Sequence, residues 1–504
     1  MGYEVDAERQ LSISDEKPTH HEFERATRVE DLPDPDAGKT DEERAEIDRK
    51  LMRKVDWMLI PWLALLYLLS FLDRTNIGNA RLAGMEDALG MSGRDYNLSL
   101  TIFFISYALF EPLTNTLLKR LTPRIFFTGI ILVWGIIMTL MGLVKNFHGL
   151  LAARFFLGVA EAGLFPGVNY YLSCWYKGSE IGVRSALFFS AAALAGSFGG
   201  LLAAAIAKMD GLGDMPGWAW IFILEGIATT LVGVCCWWMV FDWPETATFL
   251  SPDDKIRVQR RILLDKQGPT AEEFDKRHIY EALKDWKTYG YMVIYMGCLI
   301  PLYAFSLFLP TILRGMGYKG THAQLLSVPP YAVAAVCTVS IGFLADKTRW
   351  RGYCNIGVVL VGITGFVMLI SSANPKVQYA GTFLGAAGIY PTIANTLSWV
   401  INNTEGSLKR AVTLGMVVGW GNLTGVVSSN IYLVEEAPRF WTGHGVVLAS
   451  QCLFLLCGSI FMHVRLRLEN KRRSNGGMDQ QWAAMTQEQR WFSGDKRPDF
   501  VYTM

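Results

Sequence analysis

Four ionisable side chains interrupt otherwise apolar sequence in the first third of this chain. Asp73 and Arg74 are adjacent in Phe71-Leu72-Asp73-Arg74-Thr75-Asn76-Ile77-Gly78, and Arg154 and Glu161 lie seven residues apart in ARFFLGVAEAG. The chemistry open to such a mixture is ion pairing and proton uptake: a desolvated carboxylate gains proton affinity, and a neighbouring guanidinium takes it away. An ionised group at the centre of a membrane helix costs on the order of 3 kcal/mol even on a permissive scale. Four of them together cost roughly 10 kcal/mol, comparable with the stability of a whole domain. They have to be paired, hydrated or neutralised.

The elements that position them follow from composition. The 504 residues are 51% hydrophobic and 18% charged, too apolar for a soluble chain of this length. The net charge of +1 conceals segregation, because the charges collect in the tails and in short hinges between apolar runs. A membrane-crossing helix needs about 20 apolar residues. On that criterion the sequence predicts an all-α membrane protein with roughly twelve spans, near 57–80, 96–118, 125–145, 149–173, 184–207, 218–241, 289–313, 323–345, 354–373, 377–401, 411–433 and 444–466. The one long polar connection, 242–288, divides them six and six. The expected organisation is a disordered tail 1–54, a six-helix half 55–241, a linker 242–288 with helical character in KIRVQRRILLDK, a second half 289–467 and a tail 468–504.

At about 1.5 Å per residue, Asp73 sits roughly 24 Å into span one and Arg154 about 10 Å into span four from the opposite face, so the two share a height. Arg154 and Glu161 are two turns apart on one helix face. An Asp73–Arg154 ion pair is expected, with Arg74 left facing a cavity and Glu161 deeper. Lys and Arg near the span ends, foremost Arg53, Lys54, the linker and Arg465 to Arg473, put both termini in the cytoplasm.

The halves are related by sequence. AEAGLFPGVNYYLS (160–173) aligns with GAAGIYPTIANTLS (385–398), matching Gly163 with Gly388, Phe165-Pro166 with Tyr390-Pro391 and Leu172-Ser173 with Leu397-Ser398. Spans four and ten are six apart and equally oriented, which is a parallel repeat, the arrangement of the major facilitator fold. Glu161 aligns with Ala386 and Arg154 with Tyr379, so the fold does not need these charges.

The segments FLDRTNIGNARLAG, ARFFLGVAEAGLFPGVNYYLSCWY, WAWIFILEG with WPETATFLSPDDK, GFLADKTRWRG and INNTEGSLKRAVTLGMVVGWGNLTG resemble the anion:cation symporter family of the major facilitator superfamily, with the fungal allantoate and nicotinate permeases as the nearest branch. The resemblance spans about 50–470. It implies proton-coupled uptake of a small organic anion, a carboxylate such as nicotinate, allantoate or a vitamin acid, by alternating access, at the plasma membrane and by a monomer. The alternative is export of an acidic fungal metabolite. In this reading Asp73 and Glu161 are the proton-linked carboxylates, Arg154 tunes Asp73, and Arg74 meets the substrate carboxylate, its planar fork binding two oxygens at once. Arrival of an anion at Arg74 then changes proton affinity nearby.

Two departures bear on this reading. The loop after span two, LLKRLTPR, lacks the Gly-x-x-x-Asp-Arg form of the superfamily, whereas Gly342 and Asp346-Lys347 are kept after span eight. Span five has no Gly-Pro pair of the antiporter type, which favours uptake. Asn76, Tyr303, Asn395 and Asn422 are candidate substrate contacts, with Phe305 and Trp420 as further polar-face or stacking positions. Glu111, Asp346 and Lys347 are candidate gating residues, and Glu225 in the LEG motif is read as structural or gating. His148, His322, His444 and His463 lie near span ends and receive no proton role. No metal cluster, nucleophile triad or phosphate-cradling loop is present, so no cofactor is expected beyond the proton gradient, and neither enzymatic function nor nucleic-acid binding. The eight cysteines fall in or beside apolar runs and read as free packing residues.

Overall fold

The computed structural model describes residues 32–177, 180–265, 276–318, 320–405, 407–477, 479–486 and 494–504. The expectations for 1–31 and 266–275 lie outside the described residues. Among the described residues there are twelve long helices and no strands: α1 (Asp41–Leu82), α2 (Gly93–Arg120), α3 (Pro123–Met141), α4 (Phe147–Glu161, continued by Leu164–Ser173), α5 (Ile181–Ile206), α6 (Gly217–Met239), α7 (Trp286–Gly315), α8 (Gly320–Thr348), α9 (Arg351–Ser371), α10 (Pro375–Asn402), α11 (Ser407–Ser428) and α12 (Trp441–Ser450, continued to Ser474). Ten are long and apolar enough to cross a membrane. The other two, α2 and α10, are as long but carry more polar residues, α2 with Arg94, Asp95 and Glu111 and α10 with Gln378 and Asn395. Helices suit the bilayer because each satisfies its own backbone groups.

Small residues set the closest approaches. Gly135 on α3 lies against Thr230 on α6, and Gly226 on α6 lies against Thr139 on α3, so neither glycine has room for a Cβ. On α9 and α10, Gly362 and Gly388 face each other in the same way, the close backbone packing that drives helix association in lipid. Within the first six helices α1 packs on α5 and α6, α2 on α4, and α3 on α4 and α6. Within the last six α7 packs on α11, α8 on α10, and α9 on α10. The two sets meet through α5 against α8, α2 against α11 and α1 against α7.

The repeat aligned in sequence is interrupted differently in the two sets. Helix α4 pauses at Ala162–Gly163, where the Pro166 ring clashes with the carbonyl four residues earlier. Helix α10 runs unbroken through Pro391.

The polar segments are more ordered than their composition implies. Helix α1 begins at Asp41, capped by Thr40 and Glu43 side chains in a reciprocal box, so the expected unstructured tail to residue 54 fails from Asp41 onward. The linker contains a helix at Pro252–Asp265, as its sequence predicts, and a second at Lys276–Lys284. Arg257 of the linker helix binds Asp36 through two hydrogen bonds of 3.0 Å, and Arg261 pairs with Asp48 and Glu180. These charges gave the segment its disordered signature, and they are the groups that fasten it to the first helix set. All eight cysteines are free.

Candidate functional site

Asp73 and Arg74 are neighbours in sequence and point to different places, because successive helix residues are rotated by about 100°. Asp73 turns into the first helix set, where its Oδ2 accepts from Trp134 Nε1 on α3 at 2.6 Å and from Thr229 Oγ1 on α6 at 3.1 Å. Arg74 turns toward the centre of the molecule. Its Nη2 donates to Glu161 Oε2 on α4 at 3.0 Å, and Ser70 Oγ, one turn earlier on α1, donates to the same oxygen at 3.2 Å. Both members of the pair are buried, Glu161 completely.

The expected Asp73–Arg154 pair is not formed. Arg154 faces α2, with Nε donating to the Ser99 carbonyl at 3.3 Å and its guanidinium 4.6 Å from the Phe103 ring centroid. The counting along helices gave the two residues a common height but not their rotation, and the rotations diverge. Arg74, expected to face a cavity, does line one, and it is also the partner of Glu161. Arg154 is fully buried with both Nη atoms unsatisfied, and Glu161 keeps one unsatisfied oxygen.

Above the Arg74–Glu161 pair lies a small central cavity of about 10 Å³, lined by Tyr67, Arg74, Tyr107, Phe165, Tyr303 and Asn422 among others. It has room for about one water. Aromatic rings make most of its wall, and the Arg74 guanidinium stands 5.0 Å from the Tyr107 centroid and 6.0 Å from that of Tyr303, with Phe103, outside the wall, at 5.1 Å. Tyr303 donates its hydroxyl to Asn422 Oδ1 at 2.8 Å, and Asn422 Nδ2 donates across to Glu111 Oε2 on α2 at 3.0 Å. Three of the residues singled out from sequence, Arg74, Tyr303 and Asn422, therefore meet at one cavity, and Glu111 is linked to them.

The others lie elsewhere. Asn76 is hydrogen-bonded to Glu225 of α6, and Asn79 supports it at 2.9 Å, which gives Glu225 the structural contact its motif suggested. Asn395 binds the Arg351 carbonyl at 2.8 Å and Asn355 at 2.7 Å, in the second helix set. Asp346 pairs with Arg351, while Lys347 is exposed. The Phe305 ring packs edge-on against Tyr331 at 5.7 Å, and Trp420 is on the surface. His444 is buried and bonded to the Tyr432 hydroxyl at 3.0 Å.

Sequence reading missed most of the aromatic wall. Tyr67 stands two turns before Arg74 on the same face of α1, and Tyr295 two turns before Tyr303 on α7, so helical spacing from the charged and polar candidates would have found both. Phe165 and Phe189 have no such marker. Phe165 is the residue aligned with Tyr390 in the repeat, and both rings face α1: Phe165 lies 5.7 Å from Tyr67, and Tyr390 6.5 Å from Phe71.

Contacts between the two helix sets flank the cavity. Toward the end where α2 begins and α11 finishes, Thr101 and Ser429 hydroxyls are 2.9 Å apart and Asn430 donates to Thr101 at 2.8 Å. At the level of the cavity the sets also meet through the Glu111–Asn422 bond and the Phe71–Tyr390 contact. Two six-helix sets around a central cavity with buried charge on one of them can carry a small solute by exposing that cavity alternately to either side.

Known proteins agree with this architecture. Residues 63–461 match the Major Facilitator Superfamily. The MFS-type transporter cnsO of Penicillium expansum is 35% identical over 86% of this chain and 85% of its own. The high-affinity nicotinic acid transporter of Saccharomyces cerevisiae is 30% identical over 90% and 85%. Among solved structures, a bacterial homologue of the human lysosomal transporter Spinster, inward-facing and occupied, superposes with a TM-score of 0.59 over 81% of this chain and 96% of its own at 16% identity, a likeness of fold. With a matched region covering most of its length and fungal relatives at 30% and 35% identity over 90% and 86% of it, this multi-pass membrane chain belongs to the Major Facilitator Superfamily of transporters.

Proposed function

We propose that this transporter carries a small organic anion inward together with protons. The observation that supports the reading best is the buried pair of Arg74 with Glu161 at 3.0 Å beside an aromatic-walled cavity. Arg74 is the one cation lining the cavity among the described residues, and Glu161 occupies part of its fork. A proton on Glu161 weakens that pair and leaves the guanidinium to an incoming carboxylate. An anion arriving without a proton meets a guanidinium already neutralised. Anion and proton are thereby linked at one residue pair.

Asp73, held by Trp134 and Thr229 on the opposite face of α1, is a second proton-linked carboxylate in this scheme. Arg154, the remaining buried guanidinium on α4, adjusts the field both acids feel. Tyr303 and Asn422 contact the bound anion, whose planar part the aromatic walls accept. Glu111 with its bond to Asn422 acts at the gate on the terminal side. That side is the cytoplasm, the membrane is the plasma membrane, and the protein works as a monomer. The name of the yeast relative, a nicotinic acid transporter, places aromatic monocarboxylates among the first acids to try.

The test is uptake of a panel of labelled organic acids by purified protein in liposomes, with and without an inward proton gradient. Gradient-stimulated uptake of at least one acid supports the proposal. Absence of inward transport for every acid, with efflux from preloaded vesicles instead, overturns it in favour of export.

A further inference from the structure

The segment Gly494–Met504 lies outside the twelve helices and outside the matched family region, yet it is among the most tightly gripped stretches of the chain. Asp495 is completely buried. Its Oδ1 takes a hydrogen bond from Lys409 Nζ at 2.6 Å, and its Oδ2 pairs with Lys287. Arg473 Nη1 donates to the main-chain carbonyls of Asp495 and Arg497 at 3.0 Å and of Phe500 at 2.8 Å.

Two asparagines each clamp a whole residue through its backbone. Asn470 accepts from Tyr502 N and donates to Tyr502 O, both at 2.9 Å. Asn403 accepts from Thr503 N at 2.7 Å and donates to Thr503 O at 3.0 Å. Trp399 Nε1 adds a bond to the same carbonyl at 2.9 Å. The Tyr502 hydroxyl accepts from both Lys287 and Arg473 at 2.9 Å. At the other edge Arg497 pairs with Glu405 at 2.7 Å.

The gripping residues come from four different helices. Lys287 is on α7, Trp399 on α10 with Asn403 capping its end, Lys409 on α11, and Asn470 and Arg473 on α12. The charge balance depends on the segment as well, because with Asp495 removed Lys287 and Lys409 face a single carboxylate, Asp285, at 3.3 and 2.8 Å. Two buried ammonium groups sharing one acid repel each other, so the pocket is built to hold a further acid.

We propose that Gly494–Met504 is a strap that ties the terminal-side ends of α7, α10, α11 and α12 into one rigid body. Helices α10 and α11 carry Tyr390, which touches Phe71 of α1, and Asn422, which bonds Glu111 of α2, two of the contacts that join the helix sets beside the cavity. While the strap is on, those two helices cannot bend away from α7 and α12 on their own. When the strap is off, they can, and the terminal side of the cavity opens more readily. The first helix set has a separate fastening, Asp36 to Arg257, which the strap does not touch.

The experiment compares backbone hydrogen exchange in full-length protein with that of Asp495→Asn and Asn470→Ala, chosen as mild variants that keep the rest of the segment. Residues 399–412 are expected to exchange at least about tenfold faster in both variants, while 123–141 of α3 stays unchanged. Cys298, buried on α7 with its Sγ 3.6 Å from Thr396 Oγ1 of α10, reports the same opening through faster labelling by a small thiol reagent. Unchanged exchange at 399–412 overturns the strap. Acceleration spread evenly over both helix sets also overturns it, because it assigns the segment to general stability rather than to the terminal-side ends.

Discussion

Glu161 Oε2 lies 3.0 Å from Arg74 Nη2, on helices that carry no aligned counterpart of this pair in the second set, where Ala386 stands at the position of Glu161. The repeat builds the same scaffold twice and charges it once. Arg74→Lys keeps the charge and loses the planar fork, which costs more than about a tenfold reduction in uptake; Arg74→Ala abolishes saturable uptake. Glu161→Gln removes the titrating partner, so uptake in that variant is flat with external pH while exchange of internal for external substrate continues. The measurement is initial uptake rate in liposomes from pH 5 to 8. A steep pH dependence surviving in Glu161→Gln would transfer the coupling role to another carboxylate.

Trp134→Phe tests the second carboxylate. The indole N–H is one of only two donors to Asp73 in the described structure, and leaving a buried acceptor short of a partner costs about 1–3 kcal/mol. The expected result is a melting temperature lower by about 2–6 °C. Thr229→Val removes the other donor and has a similar effect. The double variant exceeds the sum of the two singles, because Asp73 then has no donor left.

How much of this was legible in sequence depends on which physical quantity was being read. Apolar run length placed the helices, since crossing a bilayer fixes that length, and the long polar connection marked the division between sets. Depth along a helix could also be counted. Rotation could not: Asp73 and Arg154 share a height and still miss each other, because one faces Trp134 on α3 and the other Ser99 on α2. Asn76 and Asn395 were read as cavity amides for the same reason, and each is turned to a partner within its own set. The polar ends were misread for another reason. Composition counts Asp36 and Asp48 as solvated charge, whereas pairing with specific Arg residues far away in sequence is what orders them.

Those pairs set an acid limit for the polar face. The hydrogen bond from Arg257 holds Asp36 at about 2. For Asp495 burial pushes upward, but Lys287 and Lys409 outweigh it and hold the group at about 2 as well. Both values lie below 3.8, the ordinary carboxylate value, so each acid contributes stability that is present in full above about pH 4 and is lost as pH falls toward 2. The melting temperature in detergent is therefore expected to show no pH dependence from these groups between pH 5 and 7. In Asp36→Asn and Asp495→Asn the fall below pH 4 becomes shallower than in the intact chain. A loss of stability already centred near pH 6 would place the sensitive group elsewhere.

Gly362 and Gly388 present a purely steric case. A Cβ on Gly388 would collide with the backbone of Gly362 on α9, and backbone against backbone leaves no flexible side chain to move aside. Gly388→Val forces α9 and α10 apart, with an overpacking cost of about 1–3 kcal/mol or more and a loss of the close contact that membrane helices depend on. The expected outcome is a sharp fall in the monodisperse fraction after extraction. Gly357→Ala, with open space around it on the same α9, serves as the matched control and is expected to behave as the intact chain.

Asn422 is a cavity side chain that bonds to both helix sets, accepting from Tyr303 at 2.8 Å and donating to Glu111 at 3.0 Å. Asn422→Leu keeps similar bulk and removes both bonds. Glu111 then loses the donor to its buried Oε2, and the contact between α2 and α11 loses its polar tie. The closed arrangement is disfavoured by about 1–3 kcal/mol, which corresponds to roughly a five- to hundredfold change in the balance between closed and open forms. Substrate affinity falls because Asn422 is also a proposed contact, so KM alone does not separate the two effects. Thiol labelling of Cys298 in the absence of substrate does: it accelerates in Asn422→Leu if the bond to Glu111 holds the terminal side shut. It stays at the intact rate if Asn422 serves only to bind the anion.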